Sequence, residues 1–294
     1  MGIHGKRVLI TGAGRGIGAA TARRLAAEGA RVALVDIERD RVEACAAELG
    51  PEHLGLVADV TDSVALDKAV GTAVERFGGL DVVVANAGIA SWQTADKTDI
   101  DAFSRTVDIN LTGVFRTVRA ALPQLIESKG YVLVVASLAS MLPIPGGSSY
   151  GASKAGAEAF ASALRLEMHR YGVAVGSSHM SIVKTDLVGD LATASGSVDW
   201  LVNGPVSHLV GARTADQCAD AFVRGIARRS RRIYVPRAGI ALHWLRPVLN
   251  STVVDIALTT VGRPLLDRIF GAVEVTGHSM PERNRAHVPG QRRT

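Results

Sequence analysis

The sequence predicts an α/β fold in which helices cover both faces of a parallel β-sheet. Apolar runs of strand length alternate with helical stretches along most of the chain, which is the order typical of strand–helix–strand proteins. The apolar runs are nearly continuous in valine, isoleucine, leucine and alanine, as expected for strands buried on both faces. No Gly/Ser/Pro-rich linker divides the first 240 of the 294 residues, which favours a single domain.

Seven strands and six helical stretches follow one another in this reading. The predicted strands cover residues 7–11, 31–36, 54–58, 80–86, 131–137, 173–178 and 232–235. The predicted helical stretches cover residues 17–28, 39–49, 63–77, 100–128, 149–171 and 215–228. Ligands of such sheets bind beyond the carboxyl ends of the strands, where the strand order reverses, so functional residues are expected there.

Composition excludes several classes of protein. With 47% hydrophobic and 21% charged residues, disorder is not the main theme of the chain. Cys45 and Cys218 stand outside any CxxC motif or histidine cluster, so neither a disulfide framework nor a metal site is expected. The N-terminus shows no export signal and no apolar stretch is long enough to span a bilayer, which favours a cytoplasmic protein.

The net charge of +5 is concentrated near the end of the chain. Residues 240–294 hold seven arginines against four acidic residues. Because the body lacks a basic helix face with interleaved aromatic residues, nucleic-acid binding is not expected. Residues 240–276 are predicted to form a helical extension packed on the body or a neighbouring subunit, with peripheral membrane contact as the alternative. Residues 277–294 are predicted to form a basic, flexible tail.

A glycine-rich loop follows the first strand and leads into an alanine-rich helix. It reads TGAGRGIG over residues 11–18. Glycines let the chain turn sharply and let backbone N–H groups approach a pyrophosphate at a helix N-terminus. The loop alone could be a turn without a ligand, so its context decides its interpretation.

The second strand supplies that context, because it ends in Asp36 about twenty residues further on. A carboxylate at this place can accept hydrogen bonds from both ribose hydroxyls of an adenosine. A 2′-phosphate would meet its negative charge at a cost on the order of 1–4 kcal/mol. NAD is therefore predicted over NADP, although Arg15 in the glycine loop could accept a 2′-phosphate and keeps NADP as an alternative.

Further motifs follow in order, namely Asp59-Val60, Asn86-Ala87-Gly88, Asn110, Ser137 and Tyr150-Gly-Ala-Ser-Lys154. Together with the glycine loop they resemble the short-chain dehydrogenase/reductase family over residues 5–236, in its branch of single-domain enzymes. The resemblance implies a Rossmann-type doubly wound sheet, with residues 1–239 as the dinucleotide-binding and catalytic domain of a homodimer or homotetramer. The expected cofactor contacts are Gly12, Gly14, Arg15, Gly16, Ile17, Gly18, Asp36, Asp59, Val60, Asn86, Ala87, Gly88, Tyr150, Lys154, Val183 and Thr185.

The spacing of Tyr150 and Lys154 by itself predicts that their side chains interact. At i and i+4 near the start of a helix, the two side chains share one face. Giving the phenolate a useful population near neutrality requires lowering the tyrosine pKa by roughly three units, or about 4 kcal/mol. A lysine ammonium about 4 Å away supplies a similar free energy at an effective dielectric of about 20. The pair is therefore expected to suffice, with help from a nicotinamide cation.

The family resemblance implies the reaction. Tyr150 would be the general acid/base while hydride moves between an alcohol or carbonyl carbon and the nicotinamide, and Lys154 would also hold the nicotinamide ribose. Ser137 would hydrogen-bond the substrate oxygen, and Asn110 would hold a water that connects Lys154 to solvent. The alternatives are a dinucleotide-sensing or scaffold protein without chemistry, and an epimerase, which would need a larger C-terminal domain.

Three other polar residues lie among or after the predicted catalytic residues in the sequence. Ser140 could line the substrate cleft, whereas Ser153 is expected to face away from it. His179 is interpreted as a structural histidine at a strand end. The next residues depart from the family pattern, because Met180-Ser181 replace the usual Pro-Gly pair. This replacement makes the contacts from Val183 and Thr185 less secure.

The substrate is expected to be a small apolar alcohol or carbonyl compound. One wall of the cleft is predicted from the apolar residues that follow Ser137, namely Leu138, Met141, Leu142, Pro143 and Ile144. A lid is predicted between Thr185 and Ala215, with Trp200, Leu201, Leu209 and Val210 as its bulky members. Charged side chains are sparse in both segments, which favours apolar substrates over phosphorylated sugars.

Overall fold

The computed structural model describes residues 2–185, 211–264 and 267. Within them, seven parallel strands form one sheet in the order β3-β2-β1-β4-β5-β6-β9. The order reverses between β1 and β4, which places the ligand crevice at their carboxyl ends. The strands are β1 (Arg7–Thr11), β2 (Arg31–Asp36), β3 (Leu54–Val57), β4 (Val82–Ala85), β5 (Tyr131–Val135), β6 (Ala174–Met180), the paired short strands β7 (Val183–Lys184) and β8 (Arg213–Thr214), and β9 (Arg232–Val235).

Helices cover both faces of the sheet, as predicted for a doubly wound α/β protein. The α-helices of the described residues are α1 (Gly16–Ala27), α2 (Arg39–Leu49), α3 (Ser63–Phe77), α4 (Ile100–Val107), α5 (Gly113–Ser128), α6 (Ser148–Met168), α7 (Ala215–Ala227), α8 (Gly239–Leu249) and α9 (Thr252–Thr260). Apolar side chains of α1, α2 and α7 pack in one core cluster. Those of α3, α5 and α6 pack in a second cluster on the opposite face.

The strands explain why their sequences are continuously apolar. In β1, Val8 and Ile10 belong to the first core cluster, while Leu9 between them belongs to the second. In β4, Val82 and Val83 divide between the clusters in the same way. Because successive side chains point to opposite faces and both faces are buried, adjacent positions of these strands are apolar alike.

The region predicted as one helical stretch over residues 100–128 is interrupted, which corrects the prediction. A π-helical segment, Asp108–Thr112, separates α4 from α5. Within it, the Asn110 side chain turns inward and makes two hydrogen bonds with the backbone of Ile89. Such a segment depends on a contact with a distant loop, so hydrophobic periodicity does not reveal it.

The predicted helical extension begins with α8 and α9. The side of α8 that faces away from the body is apolar, with Ile240, Trp244, Leu245 and Val248 exposed, and Trp244 is 76% exposed. The predicted oligomer or membrane contact of this face stays a prediction. None of the described helices is both long enough and apolar enough to cross a membrane. The predicted lid residues Trp200, Leu201, Leu209 and Val210 and the tail 277–294 lie outside the described residues.

Candidate active site

The glycine loop leaves the N-terminus of α1 open. Within the described residues, the N-cap residue Arg15 makes no side-chain cap and the first turn contains no acidic residue, so the first N–H groups of the helix are available to an anion. Gly12 and Gly16 have φ values of +64° and +57°, which favour glycine. A Cβ atom at Gly12 would lie 2.7 Å from the Ala87 Cα atom, and one at Gly18 would collide with the Gly12 carbonyl oxygen. The loop therefore requires glycine at these positions.

Asn86 joins the ends of two central strands. Its Nδ2 atom donates to the carbonyl oxygens of Thr11 and Gly12, each at 2.9 Å. The backbone N–H groups of Asn86 and Ala87 donate to the Thr11 hydroxyl at 3.2 and 3.3 Å. These bonds brace the carboxyl ends of β1 and β4 beside the glycine loop.

A cavity of about 360 Å³ opens at this edge of the sheet. Thirteen of the predicted site residues line it: Gly12, Arg15, Gly16, Ile17, Asp36, Asp59, Val60, Asn86, Ala87, Gly88, Tyr150, Lys154 and Thr185. The other five are not among the lining residues: Gly14, Gly18, Asn110, Ser137 and Val183. The sequence motifs therefore predict most of the lining.

The acidic end of the cavity contains a residue that the sequence reasoning missed. Glu38 lines the cavity and forms ion pairs with Arg15 at 2.9 Å and with Arg41 at 2.8 Å. Asp36 accepts a hydrogen bond from the Gly14 N–H at 2.9 Å and another from the Glu38 N–H at 3.0 Å. Arg15, the cation considered for a 2′-phosphate, is thus paired with a carboxylate. The sequence signal for Glu38 is its place two residues after Asp36, the last residue of β2.

Tyr150 and Lys154 line the other end of the cavity, and Ser137 makes a hydrogen bond with Tyr150. The Lys154 Nζ atom donates to the Val135 carbonyl oxygen at 2.8 Å and lies 5.9 Å from the centre of the Tyr150 ring. The Ser137 Oγ atom accepts from the Ala139 N–H at 3.1 Å. Three different elements therefore supply this cluster: the end of β5, the turn that follows it, and α6.

Burial changes the pKa values of both ionisable groups. Burial raises the pKa of Tyr150, and a hydrogen bond with Ser137 partly opposes this rise. Burial lowers the pKa of Lys154 to about 8. Burial in this structure therefore opposes the lowering of the tyrosine pKa that the spacing of Tyr150 and Lys154 predicts. Removal from water disfavours the charged form of both groups.

Asn110 is held between the loop after β4 and α6. Its Nδ2 atom donates to the Ile89 carbonyl oxygen at 2.9 Å and to the Ser153 hydroxyl at 3.0 Å. Its Oδ1 atom accepts from the Ile89 N–H at 2.8 Å. Ser153, expected to face away, is buried and fixes Asn110, since a serine one residue before Lys154 lies on the inner side of α6.

The segment that departs from the family pattern places Thr185 at the cavity and the Val183 side chain in the core. Thr185 lines the cavity, and a Cβ atom at Gly16 would lie 3.6 Å from its methyl group. The Val183 side chain is buried in the first core cluster instead. Met180 reaches the cavity, while the Ser181 N–H donates to the Val235 carbonyl oxygen at 2.8 Å. The segment thus follows the sheet edge without a left-handed residue.

His179 lies in the protein interior, as its structural interpretation implies. Its Nε2 atom is 3.0 Å from the Ser177 hydroxyl, and its ring stacks on Tyr234 with the centroids 5.2 Å apart. Burial lowers its pKa to about 4, so the imidazole is neutral at physiological pH. It does not line the cavity.

The predicted apolar wall after Ser137 needs a correction. Leu138 and Met141 are buried, and neither lines the cavity. Leu138 faces Gly239 of α8, where an added Cβ atom would lie 3.2 Å from it. Ser140, the proposed cleft residue, is also buried, with its hydroxyl 2.7 Å from the Glu158 carboxylate. The turn after β5 therefore packs against α8 and α6 and not along the cavity.

Several lining residues were not singled out from the sequence. Ordinary apolar side chains and one arginine carry no motif that would have marked them. They are Ile37, Ala58, Ile89, Arg105, Ile109, Val135, Ala136 and Met180. No group of three or more potential metal ligands occurs in the part of the chain that the structure describes.

Fold and site together define a dinucleotide-binding α/β protein with a tyrosine and a lysine at the far end of its cavity. A family model described as short chain dehydrogenase matches residues 6–196. The chain is 35% identical over 202 residues to trans-4-hydroxycyclohexanecarboxylate dehydrogenase of Sinomonas cyclohexanicum, covering 66% of this chain and 78% of that protein. It is 38% identical over 180 residues to serine 3-dehydrogenase of Agrobacterium fabrum, covering 61% and 72%.

Solved structures agree with this assignment. The structure of 3-ketoacyl-(acyl-carrier-protein) reductase from Brucella melitensis, complexed with NADH, superposes with a TM-score of 0.70 at 27% identity. The superposition covers 79% of this chain and 97% of that one. The chain therefore belongs to the short-chain dehydrogenase/reductase family, whose members are oxidoreductases that bind nicotinamide dinucleotides.

Proposed function

We propose that this protein interconverts an alcohol and a ketone or aldehyde with NAD(H), and that Tyr150 is its general acid/base. The observation that carries the proposal is the composition of one cavity. An open helix N-terminus and an acidic pair, Asp36 and Glu38, lie at one end, and Tyr150 and Lys154 lie at the other. This arrangement supports the residue roles that the family resemblance implies.

The residues present fit a dinucleotide. The N-terminus of α1 would hold the pyrophosphate, and the required glycines at positions 12 and 18 let the loop and the helix pack closely against Asn86 and Ala87. Asp36 would accept hydrogen bonds from the hydroxyl groups of the adenosine ribose, and Asp59 and Val60 would lie beside the adenine. Gly88 faces Lys154, since a Cβ atom there would lie 3.3 Å from Nζ. Lys154 would thus be free to reach the nicotinamide ribose.

When bound, the nicotinamide would supply or accept the hydride, and its oxidised form would add a positive charge to the site. Tyr150 would pass the proton to or from the substrate oxygen, and Ser137 would donate a hydrogen bond to the same oxygen. The Lys154 cation would favour the phenolate once an alcohol is to be oxidised. Asn110, fixed by Ile89 and Ser153, would hold a water on the path from Lys154 to solvent.

The test of this function is turnover with NAD⁺ and a panel of alcohols. The panel contains cyclohexanols, linear apolar alcohols, serine and a sugar phosphate, and NADH formation is followed by its fluorescence. We expect turnover of apolar secondary alcohols. The alternative, a dinucleotide sensor, predicts NADH binding by calorimetry without turnover of any alcohol or, in reverse, any ketone. Turnover of the sugar phosphate alone would contradict the apolar substrate.

Cofactor preference is expected to depend on Glu38 as well as Asp36. Its carboxylate pairs with Arg15 and adds negative charge where a 2′-phosphate would lie. Glu38→Gln removes one negative charge from the place where a 2′-phosphate would lie, so kcat/KM with NADP should rise about tenfold, as expected for about 1.4 kcal/mol. The value with NAD should stay within about twofold.

The control is Glu43→Gln, which removes an equivalent charge from the Arg39–Glu43 ion pair on the outer side of α2. Its cofactor preference should equal that of the unmodified protein. A wild-type protein that already prefers NADP, or a Glu38→Gln variant with unchanged selectivity, would contradict the role assigned to the acidic pair.

A further inference from the structure

Glu158 is a buried carboxylate that the reaction proposed above does not use. It lies on α6, one turn beyond Lys154, and is only 5% exposed. It does not line the cavity. Glutamates are almost never this deeply buried unless other groups pair with the charge. The partners of Glu158 therefore indicate what it does.

One partner is the turn that carries Ser137, here called the Ser137 turn (residues 137–141). The Ser140 Oγ atom, itself buried, lies 2.7 Å from the Glu158 Oε2 atom and 2.7 Å from the Ser137 carbonyl oxygen. Within the turn, the Ser140 N–H donates to the Ser137 carbonyl oxygen at 3.1 Å. Glu158 thus ties this turn to the helix on which Tyr150 and Lys154 stand.

The second partner comes from the C-terminal extension. The Arg246 NH1 atom of α8 lies 3.5 Å from the same carboxylate oxygen of Glu158. Four residues later, the Asn250 side chain donates to the Met141 carbonyl oxygen at 3.1 Å. Helix α8 therefore reaches the Ser137 turn at two points, one through Glu158 and one directly.

Other ionisable groups face Glu158, but they do not supply the opposite charge at neutral pH. Burial lowers the pKa of His179 to about 4 and also lowers the pKa of His243, so both imidazoles are mainly neutral. The positive charge of Arg232 on β9 also lowers the pKa of both imidazoles. Among the described residues, Arg246 makes the ion pair with Glu158.

We propose that Glu158, Ser140 and Arg246 are positioning residues for the catalytic serine and tyrosine. Glu158 holds the Ser137 turn against α6 through Ser140, and Arg246 compensates the buried charge from α8. The C-terminal extension thereby becomes part of the apparatus that sets the distance between Ser137 and Tyr150. This inference rests on the proposed function of those two residues.

Two substitutions test it without disturbing the cavity. Arg246→Met removes the cation but keeps a long apolar side chain at a position that is 42% exposed. Ser140→Ala removes the hydroxyl that connects Glu158 to the turn. Arg246→Lys is the conservative variant that keeps a cation, and Arg263→Met is the matched control, because Arg263 pairs with Asp267 on its own segment.

Two readouts are combined for each variant. With the best alcohol, kcat should fall about 10- to 100-fold in Arg246→Met and Ser140→Ala, as expected for a small misplacement of reacting groups. The dissociation constant for NADH should not change. Because the Ser137 hydrogen bond lowers the pKa of Tyr150, the phenol should titrate at a higher pH in both variants. Carbon-13 labelled tyrosine measures this titration by NMR, with the resonance assigned from Tyr150→Phe.

The outcomes separate this inference from the proposed function. Recovery of kcat in Arg246→Lys, no effect in Arg263→Met, and a double variant no worse than either single one support the positioning role. If the unmodified protein turns over no alcohol but the pKa of Tyr150 is higher in the two variants, the positioning role is supported and the proposed function is rejected. Normal turnover with an unmoved titration overturns the inference alone, as does a loss of kcat fully explained by a lower melting temperature.

Discussion

Turnover of alcohols is expected to fall about 10²- to 10⁴-fold when Tyr150 is replaced by phenylalanine. The substitution removes the hydroxyl that exchanges the proton but keeps the ring beside Lys154. Because the glycine loop and Asp36 lie at the other end of the cavity, NADH should still bind. Steady-state kinetics and calorimetry on the same preparation measure the two quantities.

Tyr171→Phe is the control for this experiment. Tyr171 lies in the turn after α6, outside the cavity lining, with Arg170 over its ring. This variant should be as active as the unmodified protein. If Tyr150→Phe kept its turnover, the proton would have to pass through another group and the proposed mechanism would be wrong.

Replacing Lys154 by methionine is expected to remove activity and yet stabilise the folded protein near pH 7. Burial lowers the lysine pKa from 10.5 to about 8, which corresponds to about 3 kcal/mol of unfavourable free energy at neutral pH. Methionine has no charge to bury. The lost hydrogen bond to the Val135 carbonyl oxygen offsets about 1 kcal/mol, so a net gain of about 2 kcal/mol is expected.

The pH dependence of this gain follows from the two pKa values. Below pH 8 the lysine is protonated in both states and the full burial cost applies. Between pH 8 and 10.5 the folded protein has lost the proton while the unfolded chain still binds it, so wild-type stability rises with pH. The advantage of Lys154→Met over wild type should therefore shrink across this window. Urea unfolding at a series of pH values measures it.

The exposed lysine Lys68 on α3 provides the matched control. Lys68→Met should change the free energy of unfolding by less than about 0.5 kcal/mol at every pH. If Lys154→Met were less stable than wild type by several kcal/mol at pH 7, the ammonium would be stabilised by its surroundings, contrary to the effect of burial described above.

Local signals explain the success of much of the sequence reasoning. The bounds of β1, β2, α2 and α3 were predicted to the residue, because each element is a short apolar run or a helical stretch bounded by turn residues. The family and the doubly wound fold are confirmed. The interruption at Asp108–Thr112 and the packing of Leu138 against α8 escaped prediction, since both depend on contacts with distant segments.

The site divides in the same way. The chain itself determines that a glycine loop follows β1, that an acid ends β2, and that a tyrosine and a lysine stand one turn apart on α6. Only the tertiary structure decided that Glu38 pairs with Arg15, that Lys154 lies in an interior that lowers its pKa, and that Arg246 reaches Glu158. Spacing along a helix is fixed by local geometry, whereas burial and ion pairs between distant residues exist only after the chain has packed.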